Sequence, residues 1–194
     1  MILGKQSLAI AGTILLCTMV TAEDFDTALS ALERFSTSGR PSATEPVVGM
    51  VGFFGQSQPP QWLVLTDIPS RKSMVRESVV SRGEVRAERM FRKNPAQDLP
   101  DVPLERADLK IDSDRAFRIV EQVAHQQRVS FESAHFQLRC RDQGGEPVWM
   151  LSLNSLSQVS LGVVYVSAKT GEVLRVSWVR PKGDLDRTSA TPRS

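Results

Sequence analysis

Two stretches of the chain carry the same landmarks at a nearly constant spacing, and this restricts the fold more than any other feature. Ala28 and Glu33, within Thr27–Phe35, correspond to Ala116 and Glu121, within Arg115–Val123, at an offset of 88. Trp62 and Trp149 each open an apolar run at an offset of 87, and Gly83-Glu84-Val85 recurs as Gly171-Glu172-Val173 at 88. Phe91 and Trp178 close the two copies, again 87 apart. Self-similarity at one period implies a single supersecondary unit used twice.

Each copy reads as one helix followed by strands. Phe25, Ala28, Leu29, Leu32 and Phe35 recur at the spacing of one helical face, with Asp24 available as the N-cap and Gly39 and Pro41 to end the element. Strands are predicted over 47–54, 61–66, 74–81 and 84–91. In the second copy Asp112 or Ser113 caps a helix with Ala116, Phe117, Ile119, Val120 and Val123 inward, and strands are predicted near 134–141, 147–154, 159–168 and 172–179. Arg82-Gly83, Asp142-Gln143-Gly144-Gly145 and Lys169-Thr170-Gly171 have the glycines that tight hairpins need for positive φ. The expected fold class is therefore α+β: two tandem units, each one helix packed on its own antiparallel meander of three to four strands. Their spans are 23–91 and 111–180. A Pro-rich linker with Pro95, Pro100 and Pro103 covers 92–110, and 181–194, nearly without apolar residues, reads as a disordered tail.

The N-terminus points to export. Lys5 is the single charge in residues 1–22; an apolar run extends from Leu8 to Val20, and Val20-Thr21-Ala22 has the small-x-small exit of a secretory signal. Interrupted by Gly12, Thr13 and Thr18, the run is short for a spanning helix. A periplasmic or secreted location is expected, with a retained N-terminal membrane anchor as the alternative. Cys17 raises a lipoprotein reading, but Leu16 stands where a small residue should precede a lipidated cysteine. No later segment is long and apolar enough to insert in a membrane. A net charge of +2 argues against nucleic acid as a partner, which requires concentrated positive charge. Beyond the signal segment Cys140 is the remaining cysteine, expected on the core side with Phe136 and Leu138.

The residues offer little chemistry. His125 and His135 belong to no HxxxH, HExxH or CxxC pattern, and no serine sits in a Gly-x-Ser-x-Gly elbow. Asp112 and Asp114 suit a helix start better than a catalytic pair. Gly49–Gly55 lacks the lysine and following helix of a phosphate loop, and reads as a strand with bulges or a close backbone approach. No enzymatic activity and no cofactor or metal is expected. The outer face of the sheet is the remaining candidate: with Phe136, Leu138, Leu174, Val176 and Trp178 inward, Gln137, Arg139, Arg141, Arg175 and Ser177 face out beside Ser152 and Asn154.

Val164-Tyr165-Val166-Ser167-Ala168-Lys169-Thr170-Gly171-Glu172-Val173-Leu174 resembles the C-terminal hairpin of PepSY-type domains, and Asp114–Val120 is similar to the helix that precedes it in that family. Ser167 stands where the family usually has Asp. The resemblance covers roughly 108–179; the first copy keeps only Val80–Val85 of it. The tandem arrangement also resembles the β-lactamase inhibitory protein fold. The resemblance implies a small exported module that restrains proteases or mediates contacts at the cell surface. The expected function is a non-enzymatic binding module for another exported protein, inhibiting or regulating a protease or other envelope enzyme. The alternative is an envelope scaffold or folding aid with weak, broad partners.

Overall fold

A computed structural model describes residues 25–93, 102–140 and 145–179. The signal-like segment, Arg141, the turn through Gly144 and the tail lie outside these residues. The first helix, α1 (Ala28–Ser36), is followed by strands β1 (Val47–Gly55), β2 (Trp62–Asp67), β3 (Met74–Ser81) and β4 (Glu84–Arg92). Then come α2 (Ser113–Gln126), β5 (Ser133–Cys140), β6 (Pro147–Asn154), β7 (Ser160–Ser167) and β8 (Val173–Trp178). Short 3-10 turns occupy Pro41–Thr44 and Arg106–Asp108.

The eight strands form one antiparallel sheet in the order β4-β3-β2-β1-β5-β6-β7-β8. This overturns the expected pair of units, each a helix on its own meander. The two runs of strands meet along β1 and β5, where Met50 opposes Leu138 and Gly52 opposes Phe136. The physical reason is twofold. Pairing β1 with β5 satisfies main-chain groups that two separate sheets would leave on open edges. It also lets two short helices share one core: Trp62 lies 6.1 Å from Trp149 and 5.7 Å from Phe136, ring centre to ring centre, and Phe117 stacks on Phe136 at 6.0 Å. All four rings are buried in a single cluster with Ala28, Phe35, Met50, Val120 and Leu151.

The helices reinforce the union. Thr27, not Asp24, caps α1, accepting from the Ser30 amide at 3.3 Å, and Asp112 caps α2, accepting from Ser113 N at 2.6 Å. The start of α2 also serves α1: the Ala28 and Leu29 amides donate to Ser113 Oγ (2.9 Å) and Asp112 Oδ1 (3.0 Å). Helix N-termini have amides without intrahelical partners, so each such bond removes a cost of burial. Ala28 and Ala31, fully buried, allow α1 to lie close to the sheet. The indoles are tied in equivalent ways, Trp62 Nε1 donating to Asp26 O and Trp149 Nε1 to Ile111 O, both at 2.8 Å.

The described part of the connection is docked rather than free. Leu104 N donates to Val47 O at 2.7 Å, Lys110 N and Ile111 N both donate to Ala168 O at 2.9 Å, and Leu109 and Ile111 are buried. Arg82 and Gly83 take φ of 51° and 74° to turn the chain from β3 into β4.

Candidate partner surface

Both helices pack on one face of the sheet; among the described residues no helix covers the opposite face, where Leu65 and Val75 are buried in a small cluster with Val48, Val51 and Phe91. Register defines its rows, because directly opposed residues of antiparallel strands point the same way. One row runs Leu63, Val51, Gln137, Met150, Tyr165, Arg175 across β2, β1, β5, β6, β7 and β8. Beside it run His135, Ser152, Val163 and Ser177, and on the other side Gly49, Arg139, Val148 and Ser167.

The β1 end of the second row is unusual. Between the Gly52–Phe136 and Gly55–Ala134 pairs the register slips, so Phe53 and Phe54 together oppose His135. This is a β-bulge, and Phe54 takes a left-handed φ of 57°. Both phenyl rings consequently flank the same imidazole edge-on, at 5.3 and 4.7 Å between ring centres. Gly55 is required beside them, since a Cβ there would sit 2.7 Å from the Phe136 ring. Phe53 is 42% and Phe54 56% exposed. A bulky residue in the left-handed region costs about 1–2 kcal/mol, so the bulge presents apolar area to water at the expense of backbone energy. Burial holds the His135 pKa below its ordinary value. Its Nε2 and the neighbouring Ser133 Oγ are buried without a hydrogen-bonding partner among the described residues.

The sequence-derived candidates divide into three groups. Gln137, Arg139, Ser152, Arg175 and Ser177 stand together on the uncovered face, as the rows above place them. Asn154 is 5% exposed; it pairs with Ser133 and Ser160, and its Nδ2 donates to Ser152 O at 3.4 Å, so it is a structural residue rather than a contact residue. Arg141 lies outside the described residues. Arg175 sits over the Tyr165 ring, 5.6 Å from its centre, a cation–π distance. Arg139 and Arg175 border a depression of about 80 Å³ lined also by Val148, Met150, Tyr165 and Leu174. On the far half of the face charges pair with each other, Glu77 with Arg89 at 2.7 Å and Asp67 with Lys93 at 2.8 Å.

Sequence reasoning missed Phe53 and Phe54. Strict alternation puts one of two neighbouring residues inward, and only the three glycines around them hinted that alternation would fail. A larger cavity, about 800 Å³, opens at the far end of α2 against Phe131 and Gln56, with His125 in its wall. His125, His135 and Cys140 do not come together: His135 and Cys140 lie at opposite ends of β5, about 17 Å apart by strand rise. No group of three or more His, Cys, Asp or Glu side chains converges as a metal site among the described residues. The Cys140 thiol is half-buried, donates to Pro103 O at 3.5 Å, and is pushed up in pKa by burial and by Asp108 and Glu105.

The chain matches no family model, and neither the curated proteins nor the solved structures yield a match.

Proposed function

We propose that the protein is an exported, non-enzymatic binding module, periplasmic or secreted, that grips another exported protein with the uncovered face of its sheet. Restraint or regulation of a protease or other envelope enzyme is the activity such binding would serve. The observation that carries this reading is the bulge that holds Phe53 and Phe54 exposed against His135. Aromatic anchors of this kind dominate protein interfaces, and a monomer has no evident use for the strain that displays them. The depression between Arg139 and Arg175 adds a second anchor point, suited to an acidic side chain set against Tyr165.

The test is capture of exported proteins by the purified chain, repeated with Phe54→Ala and Arg175→Glu and with Arg118→Glu on the helical face. Retention of one protein, lost with the first two variants and kept with the third, is the expected outcome. Capture that is broad and disappears at moderate salt supports the scaffold or folding-aid role instead. Equal capture by all variants refutes the assignment of the surface.

A further inference from the structure

The two edges of the sheet are built differently. At one end β4 has five charged residues among its nine, Glu84, Arg86, Glu88, Arg89 and Arg92. Charged side chains on an edge strand discourage pairing with another chain. At the other end β8 reads Val-Leu-Arg-Val-Ser-Trp, with Arg175 as its one charge, and among the described residues it pairs with β7 alone. Val176 is 37% exposed, and Val173 and Val179 are exposed as well.

The backbone of β8 is equally specific. Val179 N donates to Leu161 O at 2.9 Å, and the Ser177–Val163 and Arg175–Tyr165 pairs continue that register. Antiparallel pairing alternates hydrogen-bonded and non-bonded positions. Arg175, Ser177 and Val179 therefore turn their main-chain groups toward β7, and Val176 and Trp178 turn theirs outward.

We infer that β8 is a self-association edge, and that its occupant is β8 of a second copy of this chain in antiparallel register centred on Val176. Of the registers the backbone allows, this one pairs Val176 with its own counterpart and Arg175 with Ser177 of the second copy, and it stops short of Leu174, where β8 bulges against β7. It brings outward N–H and C=O groups opposite each other at Val176, where the dyad passes. Centring on Arg175 would place two guanidinium groups at a close, non-bonded position, and like charges directly opposite destabilise a sheet. Val176 lies on the helical face, opposite buried Val164, so the two valines extend the core across the new seam. The pairing joins two sheets through an isologous contact, which closes after two copies. It does not depend on the uncovered face having a partner, so either reading can fail without the other.

The decisive experiment is light scattering on the purified protein across micromolar to submillimolar concentrations, with Val176→Lys alongside. The expected result is a mass that doubles with concentration for the native chain and stays monomeric for the variant, with unchanged circular dichroism. Because a lysine could perturb β8 itself, a second measurement fixes the register: Val176→Cys with Cys17 and Cys140 replaced by serine. Its paired cysteines would lie about 5.5 Å apart between Cα atoms, within disulfide reach. A disulfide-linked dimer is expected there, and none from Ala87→Cys on β4. A native chain that is monomeric throughout the range overturns the inference, as does a dimer indifferent to Val176→Lys. A monomer that dimerises only after removal of residues 181–194 also overturns it, because the chain's own tail would then be the occupant.

Discussion

Position 54 tests the backbone account of the exposed aromatic cluster directly. Replacing Phe54 by alanine or by glycine removes the same ring. With 56% exposure in the native chain, under half of a side chain that offers about 200 Å² is covered, or about 90 Å². At about 25 cal/mol per Å² the lost burial is about 2 kcal/mol in both variants. Loss of the edge-on contact with His135 adds about 0.5–1.5 kcal/mol. The variants differ in what the left-handed φ of 57° costs. Alanine retains the clash between Cβ and backbone, and glycine does not. Phe54→Gly should therefore be more stable than Phe54→Ala by about 1 kcal/mol, the reverse of their order in an ordinary strand. In thermal melts this is about 2–4 °C for a chain of this size. Urea unfolding followed by the fluorescence of buried Trp62 and Trp149 measures the same difference. If alanine equals or exceeds glycine, Phe54 is not left-handed, and the strained display of the rings fails as an explanation.

Other consequences are open to simpler tests. Glu45 accepts from Arg76 Nε and Nη2 (both 2.9 Å) and from Thr66 Oγ1 (2.7 Å); Arg76→Met should cost about 2–3 kcal/mol, and combined with Glu45→Gln less than the sum of the two, in a denaturation double-mutant cycle. Because burial holds His135 below the ordinary 6.5, the unfolded chain binds that proton more readily. Its contribution is complete above 6.5 and is lost as pH falls through the folded value, so the urea midpoint of the native chain should drop between about pH 7 and about pH 5 more than that of His135→Gln. The raised pKa of Cys140 leaves little thiolate at neutral pH, so a thiol reagent should label it more slowly than free cysteine, and equally fast only after unfolding.

Much of the local structure was legible in the sequence. The strand positions came from alternation and from the glycines that separate the runs, and the second cap was narrowed to Asp112 or Ser113 by their place before an apolar face of period 3.6, the structure selecting Asp112. The first cap was misplaced by three residues because Asp24 and Thr27 both precede the same stripe, and only the backbone decides between them. The single sheet was not legible. Hydrophobic patterns tell which face of a strand is buried but not which edge is paired, and β1 with β5 is a contact between strands some 85 residues apart. The outer face of the sheet was half legible, since Gln137, Arg139, Ser152, Arg175 and Ser177 follow from parity alone. Phe53 and Phe54 depend on a bulge, where parity stops applying. Asn154 failed for a related reason: the register shifts beside it on the β7 side, and the strand end is closed over.

The strand order reads the same from either edge, β4 and β8 outermost and β1 against β5 at the centre. That arrangement has the topology of a two-fold dimer, but it is written in one covalent chain, and the difference matters at the seam. In a true homodimer whatever stands on one side of the dyad must stand on the other. Here Gly52 opposes Phe136, and Gly55 opposes Ala134 beside the same phenyl ring. A homodimer would carry such a glycine–phenylalanine pair in duplicate, once on each side of the dyad, whereas here β1 has the glycines and β5 the phenylalanine. Covalent linkage thus allows the seam to be asymmetric, with one strand supplying the space and the other the rings that fill it, and it confines the strained aromatic bulge to β1, one half of the sheet.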